Sequence, residues 1–131
     1  MSATETEDDG EIVKLNLTPG GVAVVTLNRP RVHNAMNQDM IAKLSEVFSD
    51  LGKTDGVRLV LLDGAGKSFS AGADLTWMRA AADYSEAENF EDAMALAGML
   101  NRLWTLPQPT IALVHGAALA GGTGLAAACD M

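Results

Sequence analysis

Twice along this chain an aliphatic run gives way to a loop of small residues and then to a helical pattern. Residues 57–62 lead into Phe69-Ser70-Ala71-Gly72-Ala73-Asp74-Leu75, and residues 110–114 lead into Ala118-Leu119-Ala120-Gly121-Gly122-Thr123-Gly124. A continuous apolar run bounded by glycine or by turn residues reads as a buried strand, and strands that alternate with helices give an α/β layer with helices covering sheet faces. Small residues let a ligand approach the backbone closely, and the first N–H groups of a helix have no partner inside it. Two such loops side by side would grip one developing oxyanion; equally, both are ordinary glycine-rich turns, and spacing alone leaves the two readings open.

The rest of the chain fits around these units. Residues 12–17 alternate apolar and polar, Pro19-Gly20-Gly21 makes a turn, and residues 22–27 are rich in β-branched side chains, which reads as a hairpin. Asn37 caps a helix whose apolar positions Met40, Ile41, Leu44, Val47, Phe48 and Leu51 follow the 3.6-residue period, with Gly52 placed to end it. Ser85-Glu86-Ala87-Glu88 is a capping box that opens another helix through Phe90, Ala93, Met94, Ala97, Leu100 and Trp104, and Leu106-Pro107-Gln108-Pro109 stops it. The expected order is strand, strand, helix, strand, helix, strand, helix. The last helical pattern runs to Met131 without a cap, so the fold is expected to continue beyond it.

Composition narrows the function classes. A length of 131 residues suits one domain, and a net charge of −8 argues against a nucleic-acid partner, because phosphate neutralisation needs a basic surface. The charge concentrates in an acidic leader over residues 1–11 and in Asp83, Glu86, Glu88, Glu91 and Asp92, both read as solvated. No apolar run reaches membrane-spanning length and the N-terminus lacks the marks of a transit peptide, so the expectation is a cytoplasmic protein with no membrane partner. The lone Cys129 sits in an alanine-rich stretch and reads as a buried, inert thiol. Gly64-Ala65-Gly66-Lys67-Ser68 fails as a phosphate loop because position 61 is Leu61, and the glycines from Gly116 to Gly124 do not space as a dinucleotide fingerprint. His33 and His115 lack ligand partners at helical or hairpin spacing, so both read as structural and no metal is expected.

Four segments in register carry a resemblance. Leu27-Asn28-Arg29-Pro30, Asn34-Ala35-Met36, the run from Gly66 to Leu75 and His115-Gly116-Ala117-Ala118-Leu119-Ala120-Gly121-Gly122 closely resemble the crotonase (enoyl-CoA hydratase/isomerase) superfamily over about residues 22–131. The form of residues 70–78 looks most like methylglutaconyl-CoA hydratase-type members. The resemblance implies a spiral of ββα turns, here its N-terminal portion, binding a bent acyl-CoA. It further implies that the backbone N–H groups of Ala73 and Gly121 hold the thioester oxygen, and that the coenzyme A moiety runs past Arg31, His33, Ala35, Ala71, Asp74 and Leu75. Coenzyme A is then part of the substrate, no separate cofactor is needed, and a homotrimer or homohexamer is expected. Asp74, at the first turn of a helix, reads as a cap and not a base; Arg31 meets coenzyme A phosphates or is a plain surface arginine.

One departure from the family pattern bears on mechanism. Typical hydratases carry a glutamate at the position of Gly124, and a second glutamate beyond the point reached by this sequence. The expected activity is hydration of a 2-enoyl-CoA, with isomerisation, thioester hydrolysis or non-catalytic acyl-CoA binding as the alternatives.

Overall fold

The computed structural model describes residues 11–131. The acidic leader expected over residues 1–11 lies outside them except for Glu11, whose carbonyl accepts a hydrogen bond from Asn28 Nδ2 at 2.6 Å. Strands β1 (Val13–Leu17) and β2 (Val22–Leu27) form the expected antiparallel hairpin, with Val13 paired to Leu27 and Leu17 to Ala23. Thr18 closes the turn twice: its N–H donates to the Val22 carbonyl at 2.9 Å, and its hydroxyl oxygen accepts from the Val22 N–H at 3.1 Å. Strands β3 (Leu59–Gly64) and β4 (Thr110–Ala112) continue the sheet in parallel, in the order β1-β2-β3-β4.

Parallel neighbours require crossovers, and helices supply them. Helix α1 (Gln38–Gly52) joins β2 to β3. Between β3 and β4 the chain forms two helices, although the expected element order counted one: α2 (Leu75–Ala81), which the first small-residue loop opens and Asp74 caps, and α3 (Glu86–Trp104), opened by the capping box at Ser85 and Glu88. Helix α4 (Gly121–Ala128) follows β4, and a 3-10 turn over Pro30–Val32 follows β2.

Several boundaries differ from the sequence reading, each for a physical reason. The strand expected over residues 57–62 starts two residues later, because the N–H groups of Arg58 and Leu59 bond the Gly21 carbonyl, and pairing then carries β3 to Gly64 opposite Leu27. Regular β4 stops at Ala112, although the Leu113 N–H still reaches the Leu62 carbonyl at 2.8 Å. Gly52 is the last helical residue of α1 and supplies no left-handed cap; Lys53 follows in right-handed geometry. The final helix ends at Ala128, short of Met131. Asp130 ends it by accepting the Thr110 N–H at 2.9 Å, after which Met131 pairs alongside β4, its N–H on the Thr110 carbonyl and its carbonyl on the Ala112 N–H.

Burial along β2 and β3 alternates, so the sheet is covered fully on one face only. Ala23, Val25, Leu27, Val60 and Leu62 point into the core, whereas Val22, Val24, Leu59 and Leu61 on the other face are half-buried. The six apolar residues expected from the period of α1 all enter that core, each worth about 1.5–3 kcal/mol relative to exposure. Helix α3 turns differently from the pattern: Met99 and Leu103 are its buried residues, while Phe90, Met94 and Trp104 are exposed. Its contacts to α1 on one side and α4 on the other set that rotation. Among the described residues no helix is long and apolar enough to cross a membrane. Cys129 is half-buried; desolvation and, secondarily, the neighbouring Asp130 charge push its thiol up to about 11 against the opposing Thr110 hydrogen bond, in keeping with an inert role.

Candidate functional site

The two small-residue loops lie against each other at the ends of β3 and β4. Ser70 and Ala118 form a parallel bridge, in which the Ser70 N–H bonds the Ala117 carbonyl and the Leu119 N–H bonds the Ser70 carbonyl. Further along, Gly72 meets the start of α4 so closely that a Cβ added to it would stand 2.9 Å from the Leu119 carbonyl oxygen and 3.4 Å from the Gly121 nitrogen. Gly72 also has φ +95°, a conformation that suits glycine. Both requirements explain why this position carries no side chain.

On its other side the first loop is bridged to the segment before α1. The Met36 N–H donates to the Gly72 carbonyl at 2.6 Å and the Asp74 N–H donates to the Met36 carbonyl at 2.8 Å, a parallel bridge between Met36 and Ala73. In such a bridge the flanking peptides of the second strand make the bonds, and the central residue's own N–H points the opposite way. The Ala73 N–H accordingly has no acceptor among the described residues. Neither has the Gly121 N–H, at the first position of α4. Free amides are ordinary at a helix start, and those of Ala118, Ala120 and Thr123 also find no acceptor among the described residues; what distinguishes the Ala73 and Gly121 N–H groups is their place on the two loops where Gly72 meets Gly121.

The second loop reaches this state through strain. Ala120, the residue before α4, has φ +47° and ψ −114°, and the Gly122 N–H bonds the Leu119 carbonyl at 2.7 Å. Those are the features of a type II′ turn with alanine where glycine is usual. Sequence reasoning missed Ala120, since nothing in its neighbours announces a positive φ.

The remaining residues singled out from the sequence fall in three groups. Asp74 is the cap it was read to be: Oδ1 accepts the Trp77 N–H at 3.0 Å and Oδ2 lies 3.1 Å from Arg29 Nη2. The Trp77 N–H and then the Arg29 hydrogen bond and charge hold its carboxyl below the ordinary range, against the opposing cost of burial. Ala35, His33 and Ala71 are brought together: Ala35 is buried, and the Ala71 N–H bonds the His33 carbonyl at 2.9 Å. Arg31 lies exposed on the 3-10 turn and Leu75 is exposed at the start of α2. His33 Nδ1 pairs with Ser68 Oγ at 3.1 Å and His115 Nε2 with the Gly66 carbonyl at 2.8 Å, both local ties between loops. Asp92, read as solvated, instead accepts from Gln38 Nε2 at 2.8 Å and Trp77 Nε1 at 3.0 Å.

Asn34 is the unforeseen centre of this region. Fully buried at φ +55°, it donates from Nδ2 to the Ala65 and Ser68 carbonyls, accepts the Arg29 N–H at Oδ1, and accepts the Ser70 hydroxyl at its carbonyl.

The family model for enoyl-CoA hydratase/isomerase matches residues 18–131. The chain belongs to the enoyl-CoA hydratase/isomerase family. A short-chain-enoyl-CoA hydratase of Clostridium acetobutylicum is 39% identical over 113 residues, covering 86% of this chain and 42% of the relative. A mitochondrial Delta(3,5)-Delta(2,4)-dienoyl-CoA isomerase of Mus musculus is 33% identical over 132 aligned residues, covering 92% of this chain and 39% of the relative. Among solved structures, an enoyl-CoA hydratase of Shewanella pealeana aligns with a TM-score of 0.90 at 36% identity, covering all of this chain and 49% of that one. The chain thus spans about half the length of the family members it matches, or somewhat less, and the crotonase-like α/β fold expected from its motifs is the fold it shares with them.

Proposed function

We propose that the protein carrying this chain is a hydro-lyase that adds water across the 2,3 double bond of an enoyl-CoA, and that the N–H groups of Ala73 and Gly121 hold the thioester oxygen. The single observation behind this reading is the pair of amides without acceptors on two loops in contact. As water oxygen bonds to C3, electrons move through C2 to the thioester oxygen; two donors aimed there stabilise the enolate, which then takes a proton at C2. Asp74 is a poor base for this step, since both its oxygens are engaged and its carboxyl is held low. Since Gly124 stands where typical hydratases carry a glutamate, this reading assigns no proton-transfer group among the described residues. The acyl-CoA is the only small-molecule partner in this reading, and association into a trimer or hexamer is what the family resemblance implies.

The same Gly124 favours a second reading, double-bond isomerisation, which needs the enolate but no bound water; the likeness to a dienoyl-CoA isomerase points the same way. Product analysis of the full-length protein with crotonyl-CoA and with a 3-enoyl-CoA separates the two. For the amide pair, Ala73→Pro deletes one donor and is expected to weaken binding of acetoacetyl-CoA, an enolate mimic, by about 10²-fold or more. Unchanged affinity by calorimetry, in a variant whose circular dichroism matches the parent, would remove Ala73 from the role.

A further inference from the structure

We propose that Arg29 is a positioning residue that fixes the direction of the Ala73 N–H without touching the substrate; this rests on the oxyanion role given to Ala73 above. Arg29 follows β2 directly, and its guanidinium spans the Met36–Ala73 bridge from outside. Nη1 donates to the Ala35 carbonyl, next to Met36, and Nη2 donates to Asp74 Oδ2, next to Ala73. Its own N–H is fixed on Asn34 Oδ1 at 2.8 Å, so the backbone from which the side chain extends is itself held. The fork therefore locks both strands of the bridge whose geometry turns the Ala73 amide away from Met36. With side-chain exposures of 20% for Arg29 and 13% for Asp74, the pair is largely shielded from solvent, and a charge-assisted, two-pronged contact of this kind resists rotation better than a single hydrogen bond. Lysine has one nitrogen and no rigid fork, so it keeps the charge for Asp74 but loses the simultaneous hold on Ala35.

The test uses cinnamoyl-CoA, whose absorption moves to the red when donors polarise its thioester carbonyl, bound at saturation to the full-length protein and to Arg29→Met and Arg29→Lys. The expected result is that Arg29→Met loses at least half of the red shift while its affinity for the ligand changes less than tenfold, and that Arg29→Lys restores only part of the shift. A full red shift in folded Arg29→Met makes the residue merely structural and overturns the inference alone. Should Arg29→Met fail to melt cooperatively, Arg29→Lys decides: a shift equal to the parent's overturns the inference, a reduced one supports it. No red shift in the parent protein overturns the oxyanion reading, and this inference with it.

Discussion

The two loops at the candidate site reach the same end, an amide with no acceptor, by different physical means. The first is held by side chains: Asp74 caps its helix, Arg29 pairs with Asp74, and Ser70 Oγ accepts the Gly72 N–H while donating to the Asn34 carbonyl. The second has no side-chain cap at its helix; beyond a bond from Thr123 Oγ1 to the Ala118 carbonyl at 2.8 Å, it is shaped by a strained alanine and by glycines that press on the first loop. A loop tied by polar side chains answers to charge and pH. A loop fixed by contact and backbone conformation answers to volume. The two loops share one tight contact but differ in what else holds each of them.

Three substitutions sharpen that contrast. The largest effect is expected in the second loop at Gly122, where an added Cβ would stand 2.5 Å from the Ser70 carbonyl oxygen, so the loops must separate. Gly122→Ala should cost about 3 kcal/mol by the measure of overpacked cores, read from denaturant unfolding; a loss under about 0.5 kcal/mol would mean that the contact is not tight. A smaller, pH-dependent effect belongs to the first loop. Because the folded Asp74 carboxyl is held low, its contribution is complete above the unfolded carboxylate value of about 3.9 and disappears as pH falls through the folded value. Asp74→Asn keeps a capping oxygen but loses the Arg29 pair, so it should lower the melting temperature at pH 7, by an amount worth about 1 kcal/mol, with the gap closing in acid. A gap independent of pH would show that the charge is irrelevant there. The smallest effect is expected at Ala120, where glycine relieves strain of about 1–3 kcal/mol and costs about 0.5–1 kcal/mol in chain entropy. Ala120→Gly should come out neutral to mildly stabilising in thermal melts, and a clear destabilisation would contradict the strained turn.

What the sequence made legible follows the range of each signal. Local signals served well: the capping box at Ser85, the Asn37 cap and the period of α1 act within one or two turns, and each stands where the pattern put it. Asp74 was readable as a cap for the same reason. Edges of strands were read less well, because β3 and β4 take their limits from partners such as Gly21 and Leu62 that no local pattern names. Arg29 illustrates the limit most clearly, since its partner Asp74 is 45 residues away and Asn-Arg-Pro reads locally as the exit from a strand. Ala120 was out of reach for another reason: its conformation is imposed by the loop beside it, against its own preference.

The raised Cys129 thiol has a use of its own. It is the only cysteine among 131 residues, and at about 11 its thiolate fraction at pH 7 is about 10⁻⁴, some hundreds of times below that of an unfolded cysteine near 8.5. Alkylation of the native chain should thus be slow, and it should quicken when the stretch after α4, which returns to pair with β4, opens. Because Cys129 lies directly after the helix that begins at Gly121, its labelling rate reports on the anchoring of that helix.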